Sequence, residues 1–499
     1  MAHILYWNAS ALEANRRDFS NVPGTNKQSP EQGGPTLSSR AMAMVHLAMY
    51  DAHAGVTGSA SLPPYLPGLP APPPGSTAPA AVAGAAHKVL STLFPRQKPF
   101  FDADLKGAGL SGPGMEPGLS FGRKVADAIL EDRKLDPNAG AASYVPSPLP
   151  GRHRSDPVNS EQGFHAPVYG AASKGFAIKN RWELDPPPAK GTAEYMRALR
   201  DVRGMGIAPE LAGTLPIPNV PPIPPNSIKR RTVDETIIGL FWAYDGPRNI
   251  GTPPRLYNQI VREVAMAKNT GPNMSNDNAR LFALVNAAMG DAGILAWDQK
   301  YIHDLWRPVV GIREHDPSMG PAGPTPIGNI NDHCDPEWRP LGAPASNSYD
   351  GEKGLGERDF TPPFPAYPSG HATFGAACLH MVRLFYGILP GNHSADAIYK
   401  GPFVSDELNG LTTDSRGVVR PKHARMFNDG LWQMIVENGL SRVYLGVHWF
   451  FDAFALTPGD KPDLNQNIGG VPLGIKIAED IYAFGNKLAP KKSTVGRRA

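Results

Sequence analysis

The chain has 499 residues, with 49 Lys and Arg against 46 Asp and Glu and a formal net charge of +3. Basic residues are scattered among acids without a stripe, which argues against a nucleic-acid partner. The two cysteines, Cys334 and Cys378, lie far apart and suggest neither a disulfide framework nor a zinc site. No window reaches the roughly 18 consecutive apolar residues of a membrane span.

Residues Met1 to Arg17 carry polar and charged interruptions and no continuous apolar stretch of the signal-peptide type. The expectation is a soluble protein, cytoplasmic by default. Its 53 glycines and 54 prolines imply many loops and turns around helices.

In chain order, the first amphipathic pattern runs from Thr36 to His53. Ala41, Met44, Val45, Ala48 and Met49 form its stripe, and Ser38 or Ser39 could cap it. His46 and His53 read as structural. Ser61 to Pro79 is too proline-dense for a helix interior. Helical patterns return over Ala80 to Leu93 and Phe121 to Leu130. Asp136 to Lys190 is irregular, with Phe164, Tyr169, Phe176 and Trp182 as packing anchors. A helix around Thr192 to Val202 precedes the proline run Pro216 to Pro225. That run is either a domain boundary, dividing residues 1–215 from 226–490, or a rigid loop inside one body.

Beyond it come helices over Thr232 to Tyr244, Leu256 to Lys268 and Asn276 to Trp306. A Gly/Pro-rich insertion, Asp316 to Pro363, leads to Phe364-Pro-Ala-Tyr-Pro-Ser-Gly-His371. Phe374, Ala377, Cys378, Met381, Leu384 and Phe385 then recur at helical spacing. Asp429 to Asn438 and much of Leu440 to Leu456 also read as helical. Period-two alternation is scarce, so sheet is minor, and no solenoid-like repeat occurs.

Three segments carry chemistry. Ser369, Gly370 and His371 fall at a helix N-terminus, where free N–H groups and the helix dipole suit an oxyanion. A plain helix cap with a structural histidine is the alternative. Lys300 and Arg307, seven residues apart, would project from one helix face about 10 Å apart along the axis; the alternative is a solvated edge with Lys300 paired to Asp304. Trp297 lies on the same side. Arg442 and His448 would sit about 120° apart on a continuous helix, so a shared site requires a break near Gly446. Asp452 could then partner the His448 ring. Together these residues offer three cations, neutral donors and two imidazoles, a set that suits a small multiply charged oxyanion.

At these residues the chain resembles the vanadium-dependent haloperoxidases and, more distantly, the acid phosphatases that share their pocket. The shared pattern is Lys-x6-Arg-Pro at Lys300 to Pro308, Pro-Ser-Gly-His at Pro368 to His371, and Ser-Arg-x5-His at Ser441 to His448. The likeness to the fungal chloroperoxidases within that family extends over roughly 228–454. It takes in Trp242-Ala-Tyr-Asp245-Gly, Gly251-Thr-Pro-Pro-Arg, Leu341-Gly-Ala-Pro-Ala and Glu407-Leu-Asn-Gly.

The resemblance implies an all-α fold of two four-helix-bundle-like halves, with vanadate held in the second. It implies His448 as the metal ligand, with Lys300, Arg307, Ser369, Gly370 and Arg442 on the other oxygens. His371 would be the acid–base residue, Asp245 would support Arg442, and Trp297 and Phe364 would line the halide side. Hydrogen peroxide, a halide and a small organic acceptor are the implied partners. Phenylalanine at position 364 resembles chloroperoxidases, whereas algal bromoperoxidases carry histidine there. Two alternatives stand beside this reading. One is a phosphatase in which His448 attacks phosphorus and His371 protonates the leaving group. The other is a catalytically silent helical scaffold, against which the complete residue set argues. Oligomeric state, a homodimer included, is left open.

Overall fold

A computed structural model describes residues 3–18, 30–137, 144–160, 162–215, 228–247, 249–331, 333–344, 359–413 and 418–498. The proline run 216–225 lies outside the described residues.

The chain is mostly helical. The first half holds α1 (His3–Asp18), α2 (Gly34–Thr57), α3 (Ala78–Leu93), α4 (Lys98–Gly107), α5 (Met115–Asp132), the single turn α6 (Tyr169–Ala172) and α7 (Ala193–Met205). There follow α8 (Val233–Phe241), α9 (Pro253–Lys268), α10 (Met274–His303), α11 (Pro308–Arg313), α12 (Gly370–Phe385), α13 (Gly430–Tyr444) and α14 (Gly470–Phe484). Among the described residues, sheet is confined to two antiparallel pairs of two-residue strands, Pro402–Phe403 with Arg425–Met426 and Ala455–Leu456 with Pro462–Asp463.

Local chemistry explains many of the boundaries. Thr232 begins α8 with a complete capping box to Glu235. Thr192 caps α7 by accepting the Tyr195 N–H. The cap of α2 is Gly33, not Ser38 or Ser39. Those serines sit inside the helix and donate back to Pro35 O and Thr36 O.

The core is organised on α10. That helix is apolar around its circumference and long enough to cross a membrane, yet 94% of its most apolar window is buried by the helices around it. It packs on α2, α12 and α14. Small residues permit close crossings: a Cβ on Gly470 or Gly474 of α14 would lie 2.5 Å from Ser369 O or Thr373 O of α12. This contact seats the start of α12, where the candidate site lies.

Buried carboxylates tie the irregular segments to the helices. Asp291 on α10 accepts the N–H groups of Phe176, Ala177 and Ile178 at 2.6–3.0 Å. Asp51 on α2 accepts those of Tyr65 and Leu66 at 2.6 and 3.0 Å. The tail 490–498 runs beside the 171–178 segment. Ser493 N–H donates to Phe176 O, and Arg498 Nε reaches Asp298 Oδ2 at 3.0 Å.

Candidate active site

The site gathers side chains from the turn after α8, from α10 and the turn after it, from the start of α12, and from the end of α13 and the segment that follows it. Two expected helices end earlier than the sequence patterns suggest, and both endings shape the site. The third helix of the second half stops at His303, where Asp304 adopts a left-handed φ of +52°. Arg307 therefore does not share a helix face with Lys300; it is the N-cap of α11. Asp304 does not pair with Lys300 either. Its carboxylate accepts the Tyr144 hydroxyl.

The helix carrying Arg442 is continuous from Gly430 and ends at Tyr444, rather than running on toward Leu456. Gly446 follows at φ +76°, with Gly206 O only 2.4 Å from where a Cβ would stand. Only glycine fits that conformation and that contact comfortably. The turn sends His448 back toward Arg442, as a shared site requires.

Lys300 is fully buried, and its Nζ donates to Pro365 O at 2.8 Å, Ala366 O at 3.0 Å and also Pro368 O. Burial, and next the Arg307 charge, pull its pKa well below the ordinary range. The three carbonyls nonetheless engage three N–H groups, and only the ammonium form has three. Arg307 donates from Nε to Phe364 O at 2.8 Å and from Nη1 to Val447 O at 2.7 Å. The same Nη1 lies 2.9 Å from His448 Nε2. Burial lowers Arg307 to about 9, which leaves it charged at neutral pH.

His448 Nδ1 lies 2.7 Å from Asp452 Oδ2, which also accepts the Trp449 N–H at 2.9 Å. This pairing assigns the imidazole proton to Nδ1 and leaves the lone pair on Nε2, the tautomer a metal ligand needs. Burial, then Arg307, Lys300 and Arg442, holds His448 well below its usual pKa. Burial raises Asp452 to about 7.

Arg442 forms a two-pronged pair with Asp245, both contacts at 2.7 Å. Ser369 is the N-cap of α12, its hydroxyl oxygen accepting the Ala372 N–H, and its own N–H donates to Asp452 O at 2.8 Å. His371 places Nε2 2.6 Å from Ala243 O, which assigns the proton to Nε2 and the lone pair to Nδ1. Burial and Arg442 push it down to about 3.

A small cavity of about 20 Å³ opens among these groups, lined by Asp245, Gly370, His371, Arg442 and His448. Trp297 and Phe364 form its apolar wall, with ring centroids 4.8 Å apart. Lys300, Arg307 and Ser369 lie just behind the lining, held by the contacts above. Two buried donors, Arg307 Nη2 and Arg442 Nε, have no hydrogen-bond partner among the described residues. A buried donor left unpaired costs about 1–3 kcal/mol, and an oxyanion would satisfy both. The donor set therefore fits a small oxyanion such as vanadate: guanidinium N–H groups, a helix N-terminus and one imidazole lone pair.

Sequence reasoning missed several neighbours of the site. Pro35 at the start of α2, and Thr252 and Pro253 at the start of α9, also line the cavity. His165 lies against the apolar wall, with its ring centroid 5.9 Å from that of Trp297 and 6.0 Å from that of Phe364. None of them belongs to the three chemical segments; Thr252 and Pro253 fall in the Gly251-Thr-Pro-Pro-Arg stretch of the resemblance, which carried no site role.

Two family profiles match the chain, the vanadium chloroperoxidase N-terminal domain over residues 1–106 and the VCPO second helical-bundle domain over residues 280–457. The chain is 35% identical to vanadium chloroperoxidase of Curvularia inaequalis over 599 aligned positions, covering 98% of this chain and 90% of that protein. Its fold is similar to that of a bacterial vanadium-dependent iodoperoxidase, with a TM-score of 0.62, 18% identity and 98% of each chain covered. It is also similar to holo-type bacterial vanadium-dependent chloroperoxidase, with a TM-score of 0.59, 15% identity, and 95% and 96% covered. The chain belongs to the vanadium chloroperoxidase family.

Proposed function

We propose that the protein is a vanadium-dependent haloperoxidase that uses hydrogen peroxide to oxidise a halide, with vanadate as its cofactor. The observation that carries this reading is one cavity that joins Arg442, whose Nε is unpartnered among the described residues, and the His448 imidazole to an apolar Trp297–Phe364 wall, with Arg307 against His448. Vanadate, when bound, supplies a Lewis-acidic centre at which peroxide is activated toward halide without a change of metal oxidation state.

The protein's own residues have separable tasks. His448 offers the Nε2 lone pair as the metal ligand, and Asp452 fixes its tautomer. Arg307, Arg442, Ser369 and the Gly370 N–H would bind and orient the oxyanion's oxygens, and Lys300, whose three N–H groups are taken by carbonyls, would act through its charge. Asp245 holds the Arg442 guanidinium in plane. His371 enters the reaction neutral and takes the peroxide proton at Nδ1, while its Nε2–H stays anchored on Ala243 O. Trp297 and Phe364 exclude water on the side where halide, and beyond it a small organic acceptor, would approach. The 226–490 region supplies every ligand in this scheme, and the 1–215 region closes the cavity through Pro35. The one helix among the described residues that is long and apolar enough to cross a membrane, α10, is mostly buried within the protein.

The phosphatase reading uses the same cavity, with His448 Nε2 as nucleophile. The match of Trp297 and Phe364 to the haloperoxidase pattern favours halide chemistry. The deciding experiment compares vanadate-loaded protein with peroxide and bromide or chloride in a dye-halogenation assay against metal-free protein with a phosphomonoester. Halogenation that requires vanadate is expected. Phosphatase turnover that vanadate merely inhibits, without halogenation, would overturn the proposal.

A further inference from the structure

His165 holds the halide-side wall from behind. Its backbone oxygen accepts Trp297 Nε1–H at 3.3 Å and the Tyr301 hydroxyl at 2.7 Å. Its N–H donates to Pro363 O at 2.8 Å, one residue before Phe364. The imidazole packs edge-on to Trp297 and tilted against Phe364, and its Nε2 lies 3.0 Å from Thr36 Oγ1. Behind the ring, Gly34 approaches so closely that a Cβ there would stand 2.4 Å from His165 Cε1. The ring is thus wedged between the start of α2 and the two aromatics that line the cavity. It is itself only partly exposed and not part of the lining.

From this arrangement we infer that His165 is a positioning residue that fixes the Trp297–Phe364 wall and thereby limits the size of the halide admitted. The inference rests on the haloperoxidase reading above. Two aromatic rings with a rigid backing present a fixed contact distance to a small anion. Removing the backing leaves a gap into which Phe364 and Trp297 can relax. A larger, more polarisable halide gains room, whereas a small one gains nothing.

Three variants separate bulk from polarity: His165→Ala, His165→Asn and His165→Leu. In the vanadate-loaded enzyme, the iodide-to-chloride ratio of kcat/KM is expected to rise roughly tenfold in Ala and Asn, the scale of one or two missing methylenes in a pocket. Leu retains the volume and is expected to stay within about threefold of wild type on the same scale. Vanadate affinity by equilibrium dialysis is expected to stay the same in all three, since His165 touches no oxyanion donor.

A second readout needs no activity. Iodide quenching of tryptophan fluorescence in metal-free protein should increase in Ala and Asn, and the increase should vanish when Trp297→Phe is added. An unchanged halide ratio together with unchanged quenching in both Ala and Asn, or a Leu variant shifted as far as Asn, would overturn the inference. If wild-type holoenzyme oxidises no halide, the haloperoxidase reading falls instead, and the quenching experiment still tests the wall.

Discussion

Nη1 of Arg307 donates to Nε2 of His448 across 2.9 Å. The lone pair assigned to metal binding is therefore already aimed at the cationic floor, and an oxyanion would enter between the two groups. Replacing His448 by Ala is expected to abolish vanadate binding, while His371→Ala retains binding and loses about 10²- to 10⁴-fold in halide oxidation. Equilibrium dialysis with metal analysis, paired with kcat, checks both; equal vanadate affinity in wild type and His448→Ala would refute the ligand assignment.

Binding should also be visible as stability. A ligand that binds only the folded state at about 100 times its Kd adds about 2.7 kcal/mol. Orthovanadate is therefore expected to raise the melting temperature of wild type and of His371→Ala, and to leave His448→Ala unmoved, in a thermal shift series.

Asp245 compensates the fully buried Arg442. Asp245→Ala leaves that guanidinium buried without its anion, and breaking such a pair costs about 3–5 kcal/mol. Denaturant unfolding should show this loss. The conservative Asp245→Asn should fold better and weaken vanadate affinity about 10- to 100-fold, the usual scale for a supporting partner.

Gly446 is the pivot that returns His448 to the site. Gly446→Ala would set a Cβ 2.4 Å from Gly206 O at φ +76°. Strain of this kind costs about 1–3 kcal/mol, and the displaced Val447 carbonyl would lose Arg307. We expect reduced stability together with weaker vanadate binding, measured on the same preparation.

Asp51 gives a pH dependence with a definite sign. Burial raises its pKa to about 7 from an ordinary 3.8, only partly offset by the Tyr65 and Leu66 N–H groups. The folded state therefore holds a proton that the unfolded state has released between those values. Stability from this group is fully present below about pH 4, falls as pH rises toward 7, and is level above. Comparing unfolding of wild type and Asp51→Asn from pH 4.5 to 7.5 isolates it: wild type should lose about 1–3 kcal/mol relative to the variant across that range.

Much of the site was legible in sequence because chemistry imposed local signatures. Ser369 had to cap a helix for Gly370 and His371 to stand at its mouth, and it does. The demand for a break near Gly446 followed from the angle between Arg442 and His448. The Lys300–Arg307 spacing misled, because nothing local announced that Asp304 would turn left-handed and end the helix. Helix α1 escaped notice because its buried face carries Asn8, Ser10 and Asn15, whose partners lie on distant helices or beyond. Helix α14 escaped too, although its glycines set the seat of α12. His165 could not be found by pattern, since its role comes from Gly34, Trp297 and Phe364 meeting in space.

The ammonium of Lys300 is held by three carbonyls and no carboxylate. Amide dipoles fix where it points without cancelling its charge, so its attraction is left for whichever guest arrives. Such a trap is blind to the central atom: phosphate, arsenate and vanadate share shape and charge. In a phosphate-rich medium phosphate would therefore compete for that charge, and the His448 Nε2 lone pair, as the ligand to the metal, would decide how far vanadate wins.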